Sequence, residues 1–382
     1  MIYLDHHSTT ACDESVVQAM VPWMMTAANP HSAHTGGVAA AEALWQATEH
    51  VGRRFGVDAD GVIWTSGATE SVNLALLGLA EHPRMKRRTI VTTTIEHPCV
   101  LRCVERLARG GWNVRRIDVD AHGRLDRQRC FDAIDETVGI VSIGYANNEV
   151  GVIADVPAIA AAAKRAGAIV HTDATQIVAY RDIDLPSESI DLLSASSHKF
   201  HGPRGCGMLI VRDPAAIRIA PRVVGGGQQM RLRSGTVDVA AAIGTAVALS
   251  MVDQDRHEHG VVTRLRDLRK RFWDAIHSRI EGVTLNGPAL NSEDRLPNNL
   301  NFRVEGVQGE TWASVSAGVA FSSGSACSSV DPDPSHVLMA MGLTQDQARR
   351  SVRFGLGRGT TADEIDSAVD ILERSYRQLS SS

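Results

Sequence analysis

Lys199 stands in Ser196-Ser197-His198-Lys199, just after a mostly apolar run from Ile190 to Leu193 and just before Gly202-Pro203. Upstream, the strand-like run Ala168 to His171 leads into Asp173-Ala174-Thr175-Gln176. An acid at one strand end and a lysine at the next suit an aldehyde cofactor, pyridoxal 5'-phosphate. The lysine amine holds the aldehyde as a Schiff base, and the carboxylate keeps the pyridine nitrogen protonated so that the ring accepts electrons. Taken singly, Lys199 reads as a surface lysine and Asp173 as a helix cap. The pair, flanked by Gln, Ser and His, favours the cofactor.

Such a cofactor needs a phosphate cradle, and Ser66-Gly67-Ala68-Thr69-Glu70-Ser71 offers one. It follows a strand and opens a helix, so N–H groups at Ala68 and Thr69, with the Thr69 hydroxyl, are open at the positive helix end. Without Lys199 the same motif is a plain N-cap. Glu96-His97-Pro98 ends another strand; a histidine there can lie over the cofactor ring and move protons, whereas an isolated histidine is structural. Asn147-Asn148-Glu149-Val150-Gly151 again puts polar groups at a strand's C-terminal end, where open α/β sheets collect ligands. Asn148 can bond the ring phenolate or the substrate, Gln176 can donate to that phenolate, and Ser196 and His198 can reach the phosphate. Arg231-Leu232-Arg233-Ser234-Gly235-Thr236 is a second hydroxyl-bearing loop entering a helix. Arg353 is a guanidinium on a strand: either a surface residue or a planar fork for an α-carboxylate.

The other chemical feature is Ser322-Ser323-Gly324-Ser325-Ala326-Cys327-Ser328-Ser329. Most free cysteines are inert core fillers. Small polar neighbours cannot pack a core, so this one reads as an exposed, reactive thiol on a loop. The 6 cysteines include no Cys-x-x-Cys pair, which points to free thiols in a reducing cytoplasm. His97, Cys99 and Cys103 lack a second ligand pair, so no metal site is expected.

These residues need a sheet to carry them. From Val62 to Val211, short apolar runs alternate with amphipathic ones, the pattern of parallel strands joined by helices. The strand candidates are Val62–Thr65, Thr89–Thr92, Val114–Ile117, Gly139–Ser142, Ala168–His171 and Met208–Val211. Helical patterns cover Val38–Phe55, Ser71–Ala80, Cys99–Arg109, Pro157–Ala166, Val237–Met251 and Val261–Arg279. Strand-like Asn299–Val304 and Ser351–Gly355 and a terminal helix from Thr361 to Leu379 belong to a smaller α+β unit. At 382 residues the chain exceeds what one core usually serves. Two domains are expected: a large α/β domain over 15–255, and a small α+β domain from 1–14 and 256–382 carrying the cysteine loop. A net charge of −5 argues against strong direct binding to nucleic acid, and the basic run Arg84 to Arg88 reads as a solvated helix end. No apolar stretch suits a bilayer, and the N-terminus has no secretory pattern, so a cytoplasmic protein is expected.

Ser-Gly-Ala-Thr-Glu at 66–70, Glu96-His97, Asn147-Asn148-Glu149-x-Gly151, Asp173-Ala-Thr-Gln176, Ser196-x-His198-Lys199, Arg233-Ser-Gly-Thr236 and Ser322-Ser-Gly-Ser-Ala-Cys327 occur in this order. Together they resemble the pyridoxal phosphate-dependent cysteine desulfurases of the class V aminotransferase family, nearly end to end. The resemblance implies a homodimer of PLP fold type I, with a mostly parallel seven-stranded sheet in the large domain. It implies that Lys199 binds the cofactor, Asp173 and Gln176 tune the ring, and His97 stacks on it. Ala68, Thr69, Ser196, His198 and the partner subunit's Thr236 would bind phosphate. Arg353, with Asn29 and Asn148, would hold the carboxylate of L-cysteine. Cys327 would take the substrate sulfur as a persulfide and pass it to an acceptor protein, with His97 a candidate base. The length before Ser335 is similar to the long-loop group of these enzymes.

Two departures stand out. Gly225-Gly226-Gly227 continues as Gln228-Gln229-Met230, where housekeeping relatives carry a His-Glu-Arg-type sequence. The chain also ends soon after its last helix, where those relatives carry a scaffold-docking tail. Both count against a general scaffold as the main partner, so the sulfur is expected to serve iron–sulfur cluster assembly or, in a specialised pathway, thiolation of tRNA or phosphorothioation of DNA. Competing readings are a transaminase or selenocysteine lyase on the same cofactor, which Cys327 disfavours for the transaminase, and a non-catalytic scaffold, which the intact Lys199, Asp173 and Cys327 disfavour. A nicotinamide site fails for want of Gly-x-Gly-x-x-Gly after the first strand.

Overall fold

A strand buried on both faces need not alternate apolar with polar residues, and six of the chain's strands are buried at every position. In chain order the computed structural model, which describes residues 1–324 and 333–380, begins with β1 (Ile2–Tyr3), α1 (Glu14–Met25), α2 (Thr35–Arg54), β2 (Val62–Thr65), α3 (Ala68–Glu81), β3 (Thr89–Thr93), α4 (Pro98–Arg109) and β4 (Asn113–Ile117). It continues with α5 (Arg127–Asp132), β5 (Val138–Ser142), α6 (Val156–Ala166), β6 (Ile169–Asp173), β7 (Leu192–Ser196), β8 (Gly207–Val211), α7 (Val239–His257) and α8 (Val261–Arg279). The last part holds β9 (Val283–Leu285), β10 (Asn299–Val304), α9 (Gly309–Val315), β11 (Val319–Ala320), β12 (Ser322–Ser323), α10 (His336–Ala340), α11 (Gln345–Arg349), β13 (Ser351–Gly355) and α12 (Ala362–Ser380).

The main sheet has seven strands in the order β2-β8-β7-β6-β5-β3-β4. Side chains alternate across it: Ile63, Ile140, Leu192 and Leu209 join the core under α3 and α4, while Trp64, Val141, Leu193 and Met208 join the opposite one. Six strands are parallel; β8 runs antiparallel to both β2 and β7. This corrects the expectation that Met208–Val211 is a parallel strand. A parallel connection needs a crossover of a dozen or more residues, usually with a helix. The segment 197–206 between β7 and β8 holds only one short 3₁₀ turn, so the chain can only turn back.

The second sheet is antiparallel, in the order β12-β13-β10-β9. It packs Phe302 and Phe354 against Leu265 and Phe272 of α8 and Leu372 of α12. Leu4 belongs to this core and β1 pairs with β11, whereas α1 packs on α7 of the large lobe. Residues 5–13 thus cross between the lobes. His6 N–H donates to Gly355 O at 3.1 Å, and Thr10 N–H to His198 O at 2.9 Å. Arg358 bonds both Asp13 and Asp255 at 2.7 Å near the same crossing. Among the described residues no helix is long and apolar enough to cross a membrane.

Candidate active site

Because six strands are parallel, the loops leaving β2, β3, β5, β6 and β7 emerge at one sheet edge. They carry Ser66–Thr69, Glu96-His97, Gly144–Glu149, Asp173–Gln176 and Ser196–Lys199 to a single cavity of about 890 Å³. Arg353 closes it from the small lobe, and His7 to Thr9 from the crossing segment.

Lys199 is the last residue of the 3₁₀ turn after β7. Its Nζ donates to the carbonyls of His7 and Ser8, both at 2.6 Å, so the amine is held beside Asp173 and Gln176 on the cavity wall. Asp173 ends β6 and caps the following turn, accepting Thr175 N–H at 3.0 Å. The Thr175 hydroxyl lies buried on the cavity wall with no hydrogen-bond partner among the described residues. Gln176 donates its amide N–H to His7 O at 3.1 Å, while its Oε1 sits 3.0 Å from His7 Nδ1.

His97 is the N-cap of α4, its Nδ1 accepting Cys99 N–H at 3.2 Å. A nitrogen that accepts carries no proton, so the neutral ring bears its hydrogen on Nε2. Burial, then the charges of Lys199 and His336, hold His97 below its ordinary pKa against the pull of Asp173. The cap therefore leaves this ring a donor toward the cavity; the base role would require giving up the cap. His336 has the same tautomer, since its Nε2 must donate to Glu96 O at 2.9 Å, leaving Nδ1 as the acceptor.

The phosphate cradle is legible in packing. Gly67 is the N-cap of α3 and supplies no side-chain cap, so the first N–H groups of a 14-residue helix open toward Ser196 and His198. A Cβ on Gly207 would sit 2.4 Å from Gly67 Cα; only glycine lets the loop settle onto β8. His198 Nδ1 bonds Thr9 Oγ1 at 3.0 Å, and burial, helped by Lys199 and Arg204, lowers its pKa to about 4, so the ring is neutral.

Arg353 is buried, with Nη2 on Asp5 at 3.0 Å and on Ser322 at 2.8 Å, and Nη1 3.7 Å from Glu149. Asn301 donates to Glu149 Oε1 at 2.8 Å. The guanidinium is thus oriented by carboxylates on one side while it lines the cavity on the other, which settles it as no surface residue. Ala68, Thr69, Asn148 and Ser196 also line the cavity. Asn29 does not: it is exposed, its Oδ1 accepting His31 N–H at 2.9 Å in a local turn. Thr236 is likewise exposed and outside this chain's own cavity. Cys327 lies outside the described residues. Among the described residues no cluster of His, Cys, Asp or Glu could hold a metal.

Wall residues to which the sequence assigns no role include Glu96, His7, Arg204 and His336. Glu96 is buried, accepting Thr93 Oγ1–H at 2.8 Å and Gly144 N–H at 2.9 Å, and burial raises its pKa to about 7. Only Glu96 had a signal, its position beside His97 at a strand end.

The geometry agrees with what the chain resembles. The sequence profile of the aminotransferase class-V family matches residues 2–368. The cysteine desulfurase IscS of Anaeromyxobacter sp. (strain K) is 38% identical over 380 residues, covering 99% of this chain and 93% of that one. Among solved structures, a NifS-like protein superposes with a TM-score of 0.91 at 31% identity, covering 99% of both chains. A structure titled SspA in complex with cysteine superposes at 0.82, with 30% identity over 94% of this chain and all of that one.

Proposed function

The chain belongs to the class-V aminotransferase family, and from that membership we propose that it is a pyridoxal 5'-phosphate-dependent cysteine desulfurase. The observation that carries the reading is the convergence on one cavity of Lys199, Asp173, Gln176, His97 and the open start of α3, with Arg353 facing them. The donor set fits the cofactor. An uncapped helix start with Thr69, Ser196 and His198 suits a phosphate dianion, Asp173 a pyridine nitrogen, and Gln176 an anionic ring oxygen. The orphaned Thr175 hydroxyl beside them is a polar atom in need of a partner. When bound, pyridoxal phosphate supplies an electron sink for the carbons of an amino acid.

Around it the chain's own residues act as follows. Lys199 would hold the aldehyde, and its free amine would move the substrate's α-proton. Arg353 takes the α-carboxylate of L-cysteine, its fork aimed by Asp5 and Glu149, with Asn148 beside it. The Cys327 thiolate attacks the substrate sulfur. A new S–S bond forms as the Cβ–S bond breaks, and one thiol plus cysteine becomes one persulfide plus alanine. The persulfide then passes to an acceptor protein. A homodimer would bring the partner subunit's Thr236 to the phosphate, for which the exposed position of this loop leaves room.

Borohydride reduction of cofactor-loaded protein should label the peptide holding Lys199, and in a separate, unreduced sample L-cysteine should yield alanine and a persulfide on Cys327. Cys327→Ser should keep the label and lose alanine formation. An unlabelled Lys199, or full turnover in Cys327→Ser, overturns the reading. Capture under non-reducing conditions identifies the acceptor.

A further inference from the structure

His7 is fully buried between the lobes, and both of its ring nitrogens are engaged: Nδ1 with Gln176 Oε1 at 3.0 Å and Nε2 with Asn299 Nδ2 at 3.2 Å. The direction of every bond in this line follows from its far end. Arg295 is buried at the small-lobe side, and a guanidinium can only donate. Its Nη2 donates to Asn299 Oδ1 at 3.0 Å, which fixes that amide with Nδ2 as the donor. Asn299 Nδ2 also donates to Glu149 O at 3.1 Å, in keeping with that assignment. His7 Nε2 must then accept, so the single proton of the neutral ring sits on Nδ1 and is donated to Gln176 Oε1. With its oxygen thus occupied, Gln176 presents only N–H groups elsewhere: one to His7 O at 3.1 Å and the other toward the cavity.

We propose that His7 is a positioning residue that locks the Gln176 amide with its N–H side toward the cofactor's ring oxygen, relaying a one-way donor chain from Arg295 and Asn299 across the lobe boundary. An amide free to flip would offer its carbonyl to that anionic oxygen half of the time and repel it. The same His7 carbonyl takes Lys199 Nζ, so one residue sets both the parking place of the amine and the polarity of the amide beside it. The ring stays neutral because burial and the charges of Arg353, Lys199 and His6 all oppose a second proton, against only the Gln176 bond. The donor polarity holds with or without cofactor; what Gln176 donates to rests on the desulfurase reading above.

Two measurements separate these. In cofactor-free protein, ¹⁵N NMR of labelled histidine should show His7 as the Nδ1–H tautomer at neutral pH; an Nε2–H or doubly protonated ring overturns the relay whatever the protein binds. In loaded protein, the pH midpoint of the bound cofactor's visible colour should rise in His7→Phe, by about one unit, because a lost donor to an anion raises that anion's proton affinity. His7→Asn, whose amide can place an N–H near the Nδ1 position, should stay near the wild-type midpoint even if both variants lose stability alike. Equal midpoints in His7→Phe and wild type, or equal shifts in the two variants, overturn the proposal. A wild-type protein that takes up no pyridoxal phosphate overturns the functional reading instead.

Discussion

Glu96 places a carboxyl where its charged form is disfavoured. Burial raises its pKa to about 7, with the nearby Asp173 adding to the shift against the bonds from Gly144 and Thr93. Below about pH 4.5 the group is protonated in folded and unfolded chains alike. Between there and pH 7 the unfolded chain gives up the proton and the folded one keeps it, so stability falls as pH rises and the loss is complete above pH 7. At about 1.4 kcal/mol per unit the loss amounts to roughly 3 kcal/mol. Glu96→Gln keeps an oxygen for Thr93 and Gly144 and removes the titration. Urea unfolding should find the variant level with wild type at pH 5 and more stable by about 2–3 kcal/mol at pH 8. A difference that does not change with pH would refute this. The strand-end motifs around Lys199, Asp173 and Thr69 were legible because a parallel sheet puts such ends together. His7 and His336 were not, because hydrogen bonds from His7 to Gln176 and from His336 to Glu96 span 169 and 240 residues of sequence. Asn29 rested on resemblance alone, and nothing in its neighbourhood brings it to the cavity of this chain.

At the scale of the element, the departure Gln228-Gln229-Met230 acquires a physical account. β2 is an edge strand, and an edge leaves backbone groups without a partner strand. The Gln229 amide serves as one: Trp64 N–H donates to its Oε1 at 2.6 Å, and its Nε2 donates to Trp64 O at 2.9 Å. To reach there, Gln229, Met230 and Arg231 all adopt left-handed backbone, at φ 49°, 56° and 65°. Such a conformation costs about 1 kcal/mol for a residue with a side chain. Gln229→Ala should therefore lower stability by about 1–3 kcal/mol, since two strand groups lose their partner, while Met230→Gly should raise it by up to about 1 kcal/mol. Urea midpoints that fall equally in both would sink the account. The sequence marked this loop as unusual, but its partner strand lies 165 residues away. β7 was half hidden for a different reason. Its run is Leu-Leu-Ser-Ala-Ser, and the serines disguise a strand that is buried throughout. The reversed direction of β8 was written only in the shortness of the loop before it.

For the whole molecule, the surface that remains open argues for a second copy. Val17, Val21, Met24 and Met25 of α1, Trp45 of α2, and Val224 and Met230 of the loop before α7 are exposed. These segments are linked: α1 and α2 both pack on α7, and Gln229 holds Trp64, whose indole donates to Thr48 of α2 at 3.0 Å. Scattered apolar residues are ordinary on a surface, but we propose that this linked set is where a second copy pairs. Thr236 lies just beyond the same loop and outside this chain's own cavity, where a pairing of two copies could turn it toward a neighbouring phosphate site. Trp45→Glu places a charge in that face without touching the cavity. Sedimentation should find a dimer in the wild type and a monomer in the variant. If Thr236 acts across the interface, the monomer should also bind pyridoxal phosphate more weakly, and Thr236→Ala should reproduce the weaker binding while remaining a dimer. A monomeric Trp45→Glu that binds the cofactor as tightly as wild type would show that each chain completes its phosphate site alone.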